Sequence, residues 1–182
     1  MSAKSKSLFE ATFWLALFCA AISAPLSASA TPATPAGKFM KVDQVNRAKW
    51  DRAWTNLLND AQQTFSPSLP ILRAVEVDLV VANPGPKEDD LTLTILDEEG
   101  ETLLSLTKTV PISDCDHALF VIPKDGMEIT PGRTYRLRLT GGSLFGWKYV
   151  VGGYENGRAT FNGKPLLPDA RSTFLFRTFG DE

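Results

Sequence analysis

The chain has 182 residues, of which 43% are hydrophobic and 22% are charged, and its formal net charge is −2 at pH 7. This balance argues against a nucleic-acid partner, because no basic stripe is present to neutralise a run of phosphates. With two cysteines and one histidine, the chain also lacks a disulfide framework and the common zinc-binding patterns.

Residues 1–30 have the organisation of a secretory signal peptide. A basic start precedes an unbroken apolar run from Phe13 to Ile22, and an Ala-Ser-Ala cleavage signature ends at Ala30. The apolar run is too short for a stable membrane anchor, although a retained anchor is the alternative. We therefore predict a secreted or periplasmic protein that starts at Thr31, has no membrane span after cleavage, and keeps Cys115 as its single cysteine.

A short linker and a segment with helical spacing come next. Residues 31–38 are rich in proline and alanine and predict a flexible connection to a single domain over residues 39–182. Five apolar residues then follow at helical spacing, namely Trp50, Trp54, Leu57, Leu58 and Ala61. This spacing predicts one face of an amphipathic helix, and an irregular segment with one or two helical turns is the alternative.

After Phe65 the hydrophobic period changes from 3.6 to 2, which is typical of strands. Acidic residues alternate with valine and leucine from Val75 to Leu79, and threonines alternate with Leu91, Leu93 and Ile95. The Asp-Glu-Glu-Gly turn at 97–100 makes residues 91–110 a predicted hairpin. Further strands are predicted at 117–122, 134–140, 146–151, 158–161 and 172–178.

Some eight short strands without interleaved helices predict an all-β fold, namely an antiparallel, jelly-roll-like β-sandwich. A closed barrel is the alternative. The alternation predicts two packed sheets with nine side chains inward: Val75, Val77, Leu79, Leu93, Ile95, Phe120, Leu137, Leu139 and Phe176.

Five segments also suggest a relative. In order, they are A-Q-Q-T-F at 61–65, V-E-V-D-L-V-V at 75–81, P-G-R-T-Y-R-L-R-L at 131–139, G-W-K-Y-V-V-G-G-Y at 146–154 and F-L-F-R-T-F-G at 174–180. Over about residues 42–180 the chain resembles exported bacterial β-sandwich domains of the galactose-binding, carbohydrate-binding-module-like type. The resemblance implies the fold more than the function, because no single segment is chemically diagnostic.

Few residues offer catalytic or metal chemistry. Cys115 and His117 lie two residues apart, which on a strand separates them too far for direct proton transfer. No cofactor is predicted. Structural calcium is the one plausible metal, at the acidic runs 88–90 or 97–99, although both runs also fit solvated turns. A hydrolase with paired carboxylates remains an alternative, because such residues need only meet in space.

The aromatic residues give the binding hypothesis. Trp147 and Tyr149 share one face of a predicted strand, where they form either a stacking surface for a sugar ring or part of the core. Tyr154 follows a Gly-Gly bend, and Asn156 and Arg158 in the next loop supply polar groups. We predict a non-catalytic module that binds carbohydrate or a cell-surface polymer through these five residues. A structural or protein-interaction domain is the alternative.

Overall fold

The structure, a computed structural model, describes residues 40–56 and 60–182, and β-strands dominate this part of the chain. In chain order the strands are β1 (Lys41–Asn46), β2 (Ala53–Asn56), β3 (Ala61–Phe65), β4 (Ile71–Val81), β5 (Glu88–Leu96), β6 (Thr102–Pro111), β7 (His117–Val121), β8 (Met127–Glu128), β9 (Tyr135–Gly141), β10 (Phe145–Val151), β11 (Ala159–Phe161), β12 (Lys164–Pro165), β13 (Ser172–Phe174) and β14 (Phe176–Asp181). One 3-10 turn, Ile112–Asp114, precedes β7.

The strands form two antiparallel sheets that pack as a β-sandwich, as the sequence predicted. The first sheet follows the order β1-β14-β4-β10-β13, with β2 added to β10 and with β7 and β8 added to β4. The second sheet follows the order β12-β11-β3-β9-β5-β6. Because β7 and β6 each end their sheet, a seam between the two layers runs along these two strands.

The predicted helix is absent from the described residues, and its place is taken by β2 and β3. Ala53 to Asn56 pair with β10, and Ala61 to Phe65 pair with β9. Leu57 and Leu58, like the predicted signal peptide and linker, lie outside the described residues. Within 40–56 and 60–182, no helix is long and apolar enough to cross a membrane.

The period-2 alternation correctly identified the core. Each of the nine side chains predicted to face inward is no more than 2% exposed, and all belong to one apolar cluster between the sheets. The predicted hairpin is formed by β5 and β6, in which Leu93 pairs with Leu106. Gly100 takes a φ of 92° in the turn, a conformation that glycine adopts without steric cost.

The last predicted strand is interrupted at Leu175, where the chain stops pairing with one strand and begins to pair with another. The Leu175 amide donates to the Lys148 carbonyl in β10 (2.9 Å), and the Leu175 carbonyl accepts from the Asp78 amide in β4 (3.1 Å). β13 therefore pairs with β10, whereas β14 pairs with β4. This switch holds Lys148 and Asp78 close together on the outer face of the first sheet.

Truncation of a core residue tests the register of the second sheet. Leu137 is fully buried and pairs with Gln63 on one side and Ile95 on the other. Leu137→Ala should reduce the free energy of unfolding by about 2–5 kcal/mol through lost burial and a residual cavity. Val121→Ala is the matched control, because Val121 is 58% exposed. Urea denaturation that gives both variants the same small loss would show that the register is wrong.

Candidate functional site

The structure places Trp147 in the core. Its side chain is fully buried and stacks on Phe174, with ring centroids 4.2 Å apart and planes 11° from parallel. The indole N–H donates to the Leu175 carbonyl at 2.9 Å, which satisfies the one polar group of the ring. Of the two roles that the sequence left open for Trp147, the structural role is therefore the one that the geometry supports, and no face of the indole is open to a ligand.

The two predicted binding tyrosines also pack inward. Tyr149 is half-buried and meets Phe174 edge to face at 6.3 Å. Tyr154 is only 6% exposed and meets Phe176 edge to face at 5.2 Å. Its hydroxyl donates to Gln44 Oε1 at 2.9 Å. These rings do not form an open stacking surface, because the Gly-Gly bend turns Tyr154 back under the sheet rather than out of it.

The polar residues of the same loop are exposed. Asn156 and Arg158 both face solvent, and the Arg158 backbone holds the loop to β3 through an amide that donates to Thr64 Oγ1 at 2.8 Å. Arg171 reaches this loop as well, where its guanidinium donates to the Glu155 carbonyl at 3.0 Å. The fold thus brings the predicted loop residues together without an accessible aromatic ring among them.

Substitution of Tyr154 separates a structural role from a binding role. Tyr154→Phe removes the hydrogen bonds to Gln44 and to the Ser66 amide and should lower the free energy of unfolding by about 1 kcal/mol. Tyr154→Ala also removes the buried ring and should lower it by about 3–5 kcal/mol. Thermal and urea denaturation measure both losses. A fully stable Tyr154→Ala variant would place the ring in solvent, against the structure.

An exposed aromatic ring that the sequence did not reveal lies on the outer face of the first sheet. Trp54 in β2 is 45% exposed, and its indole lies against the backbone of Gly146 in the neighbouring strand. A Cβ atom at Gly146 would lie 2.5 Å from Trp54 Cδ1, so a larger residue there would displace the ring. A glycine inside a strand often marks such a close approach, but it does not identify the residue that approaches, so Gly146 was a signal for the contact and not for Trp54.

Lys148 lies beside this ring, and its ammonium makes an ion pair and a cation–π contact. It pairs directly with Trp54, and its side chain is only 13% exposed. The ammonium sits 4.9 Å from the centre of the Trp50 ring and 3.7 Å from Asp116 Oδ1. In the described part of the chain no acceptor lies within hydrogen-bonding distance of it. An ammonium carries three donors, and their burial is unfavourable unless acceptors are supplied.

Asp78 faces the same surface from β4, in register with His117. Burial raises the pKa of its carboxyl above the ordinary value, and the positive charges of Arg47 and Lys148 only partly oppose this effect. Within the described residues, no hydrogen bond to this carboxylate is recorded. We call Trp50, Trp54, Asp78 and Lys148 the Trp54 face, which combines an open ring with one donor and one acceptor that have no recorded hydrogen bond within the described residues.

The neighbouring carboxylate, Glu76, is fully engaged. Arg177 donates to both of its oxygens, at 2.6 and 2.7 Å, and Arg47 donates to one of them. Burial of the Glu76 carboxyl opposes ionisation, but the two guanidinium groups outweigh it and hold the pKa below its ordinary value. Glu76 therefore stabilises the outer face of β4 and β14, and its oxygens are not available to bind a ligand or a metal.

The acidic runs considered for calcium make other contacts. Asp89 accepts from the amides of Gly142 (3.2 Å) and Leu144 (3.0 Å), and Asp97 accepts from the Glu101 amide (2.7 Å). Among residues 40–56 and 60–182, no group of three or more His, Cys, Asp or Glu side chains is placed to hold a metal ion. These carboxylates order the turns around them.

Comparison with known proteins adds no assignment. No protein-family model matches the chain, and no curated protein matches its sequence. The resemblance to galactose-binding domains therefore stays a prediction, and the β-sandwich and the geometry of the Trp54 face carry the functional argument.

Asp78→Asn tests whether the half-buried carboxylate opposes folding. Because its pKa is raised in the folded protein, ionisation favours the unfolded state once the pH exceeds the ordinary value of 3.8. We expect the variant to have a higher Tm than the wild type at pH 7. The difference should vanish below that value, where Asp78 is protonated in both states. Thermal denaturation across this pH range measures the effect.

The control is Glu76→Gln, for which the expected sign is opposite. The lowered pKa of Glu76 means that its ionised form contributes stability above the ordinary value of 4.5, and this contribution is lost as the pH falls. Glu76→Gln should therefore lower the Tm at pH 7. An Asp78→Asn variant that melts below the wild type at pH 7 would contradict the interpretation of Asp78.

Proposed function

We propose that this protein is an exported, non-catalytic binding module with a jelly-roll-like sandwich, and that it binds carbohydrate on the Trp54 face. The observation that carries the proposal is the half-exposed Trp54 ring lying against Gly146. An indole held against a sheet offers one apolar face to solvent. The apolar face of a sugar ring is the complementary surface.

The polar groups around the ring favour a neutral sugar. A hydroxyl both donates and accepts hydrogen bonds, and the Trp54 face offers the Lys148 ammonium as donor and the Asp78 carboxylate as acceptor. Lys148 and Asp78 carry opposite charges, so a ligand with a single charge of either sign would be attracted by one group and repelled by the other. A neutral ring with neighbouring hydroxyls suits both groups at once.

The same arrangement supports a role in binding rather than in hydrolysis. Glycoside hydrolysis needs two carboxyl groups free to act as acid and as base or nucleophile. Beside Asp78 the next carboxylate on β4 is Glu76, whose two oxygens are occupied by Arg177 and Arg47. Asp116 also lies near this surface, where its carboxylate forms an ion pair with Lys148 at 3.7 Å. Carboxylates engaged with cationic side chains on an open sheet face suit recognition of hydroxyl groups. The β-sandwich fold is also common among non-catalytic domains.

Trp54→Ala is the direct test. A glycan array probed with the exported protein would identify a neutral sugar, and isothermal titration would then give a Kd on the order of 10 μM to 1 mM. Removal of the ring should weaken binding about tenfold or more. The Tm should change by less than about 4 °C, because the side chain is half exposed.

Two further variants complete this test. Gly146→Ala should also weaken binding, since its methyl group would lie 2.5 Å from Trp54 Cδ1 and 2.8 Å from the Thr55 carbonyl oxygen and would displace the ring and the strand that carries it. Trp147→Ala should unfold the domain, because that indole is in the core. If no neutral glycan binds, or if Trp54→Ala binds as tightly as the wild type, the proposed function is wrong.

A further inference from the structure

We infer that the ligand is an internal segment of a linear, neutral polysaccharide, which crosses the first sheet from Trp54 to a second subsite at the seam between the two sheets. The inference rests on the proposed function and adds the form of the ligand, namely an extended chain rather than a single sugar or a chain end. Three observations support it: a row of side chains across the sheet, a cavity at the end of the row, and two residues that connect the cavity to the row.

The row crosses four neighbouring strands. Trp54 in β2 pairs with Lys148 in β10, and Asp78 in β4 pairs with His117 in β7. The Leu175 backbone lies between Lys148 and Asp78 and is hydrogen-bonded to both, so it connects these two pairs. Paired residues of antiparallel strands point to the same face, so the four side chains share the outer surface. With Leu175 between Lys148 and Asp78, three to four strand spacings make the row roughly 14–19 Å long.

A cavity of about 270 Å³ lies at the β7 end of the row. It is formed where β7 meets β6 at the seam of the sandwich, and the side chains that line it are Lys108, Ser113, Asp114, Asp116, His117 and Leu119. Its volume falls just below the range of about 300–1,000 Å³ that is usual for drug-sized ligands. This size suits a single ring rather than a branched or folded ligand.

Two of the residues that line the cavity connect it to the row. His117 lines the cavity and faces Asp78 in register. Asp116 lines the cavity, and its carboxylate lies 3.7 Å from the Lys148 ammonium. The polar surface beside Trp54 therefore continues directly into the cavity. A ligand that occupies one end of this surface is directed toward the other end.

The two ends differ in chemistry. At the β2 end a sugar ring has an aromatic face to stack on, whereas the cavity offers one apolar side chain, Leu119, among polar ones. Lys108 is only weakly engaged there, since its ammonium donates to the Leu119 carbonyl at 3.4 Å. We expect Trp54 to supply most of the affinity and the cavity to add affinity only for chains long enough to reach it.

The experiment measures affinity against chain length. The probes are cello-, chito-, manno- and malto-oligosaccharides of one to six units, titrated into the exported full-length protein. The expected result, for at least one series, is a Kd that falls about tenfold or more between two and five units. His117→Ala and Lys108→Ala should abolish this gain and leave the Kd for the shortest bound oligomer unchanged. Lys164→Ala is the matched surface control, because Lys164 is exposed on β12.

The possible failures are distinguishable. If single sugars or disaccharides bind as tightly as hexasaccharides, the ligand is not an extended chain and the inference is wrong, while the proposed function stands. The inference is equally wrong if the gain with length survives in both His117→Ala and Lys108→Ala. If no oligosaccharide of any length or series binds, both the inference and the proposed function are wrong.

Discussion

The carbonyl of Leu175 is the point on which the first sheet depends. It accepts from the Asp78 amide at 3.1 Å and from the indole N–H of Trp147 at 2.9 Å. A carbonyl oxygen has two lone pairs, so one atom satisfies a backbone donor of β4 and the single polar group of a buried ring. The largest core side chain is thereby fixed to the place where β13 ends and β14 begins, and the register of β10 against β4 follows from it.

The polar side-chain groups on the two faces of β4 and β10 differ in how fully they are hydrogen-bonded. Inside, the Trp147 ring is stacked and hydrogen-bonded, and outside, Glu76 is held by two arginines. Lys148 and Asp78, one strand apart on the same outer surface, have charge interactions but no recorded hydrogen bond within the described residues. Desolvation of polar groups opposes folding when they lack hydrogen-bond partners, so a ligand that supplied such partners to Lys148 and Asp78 would offset this cost. This contrast favours a functional role for the Trp54 face.

The sequence was sufficient to predict the fold because one face of most strands is buried. Alternation then identifies the inward side chains, and a slip of one residue would expose all of them. It was insufficient around Trp50 and Trp54. A spacing of four residues places two side chains on the same face of a helix and also on the same face of a strand, so the pattern alone did not distinguish the two. In the structure, Ala53 to Asn56 pair with β10, and this segment is therefore a strand.

The candidate site was not predictable from local patterns, because its four members come from three distant segments. Trp147 and Tyr149 share a face in either register, but alternation does not say whether that face is the core or the surface. The position of the Leu175 carbonyl determines that Trp147 faces the core. Because Trp147 must point inward to reach the Leu175 carbonyl, Lys148 must point outward, and Gly146 comes to lie beneath Trp54.

The register of β10 therefore determines both which side chains enter the core and which form the Trp54 face. A register slip of one residue in β10 would bury the Lys148 ammonium between the sheets and expose the Trp147 ring, and both changes are strongly unfavourable. The positions of the stacking ring, the donor and the acceptor are fixed by the same hydrogen bonds that order the core. A ligand then meets groups already in place on rigid strands, so little ordering is needed when it binds.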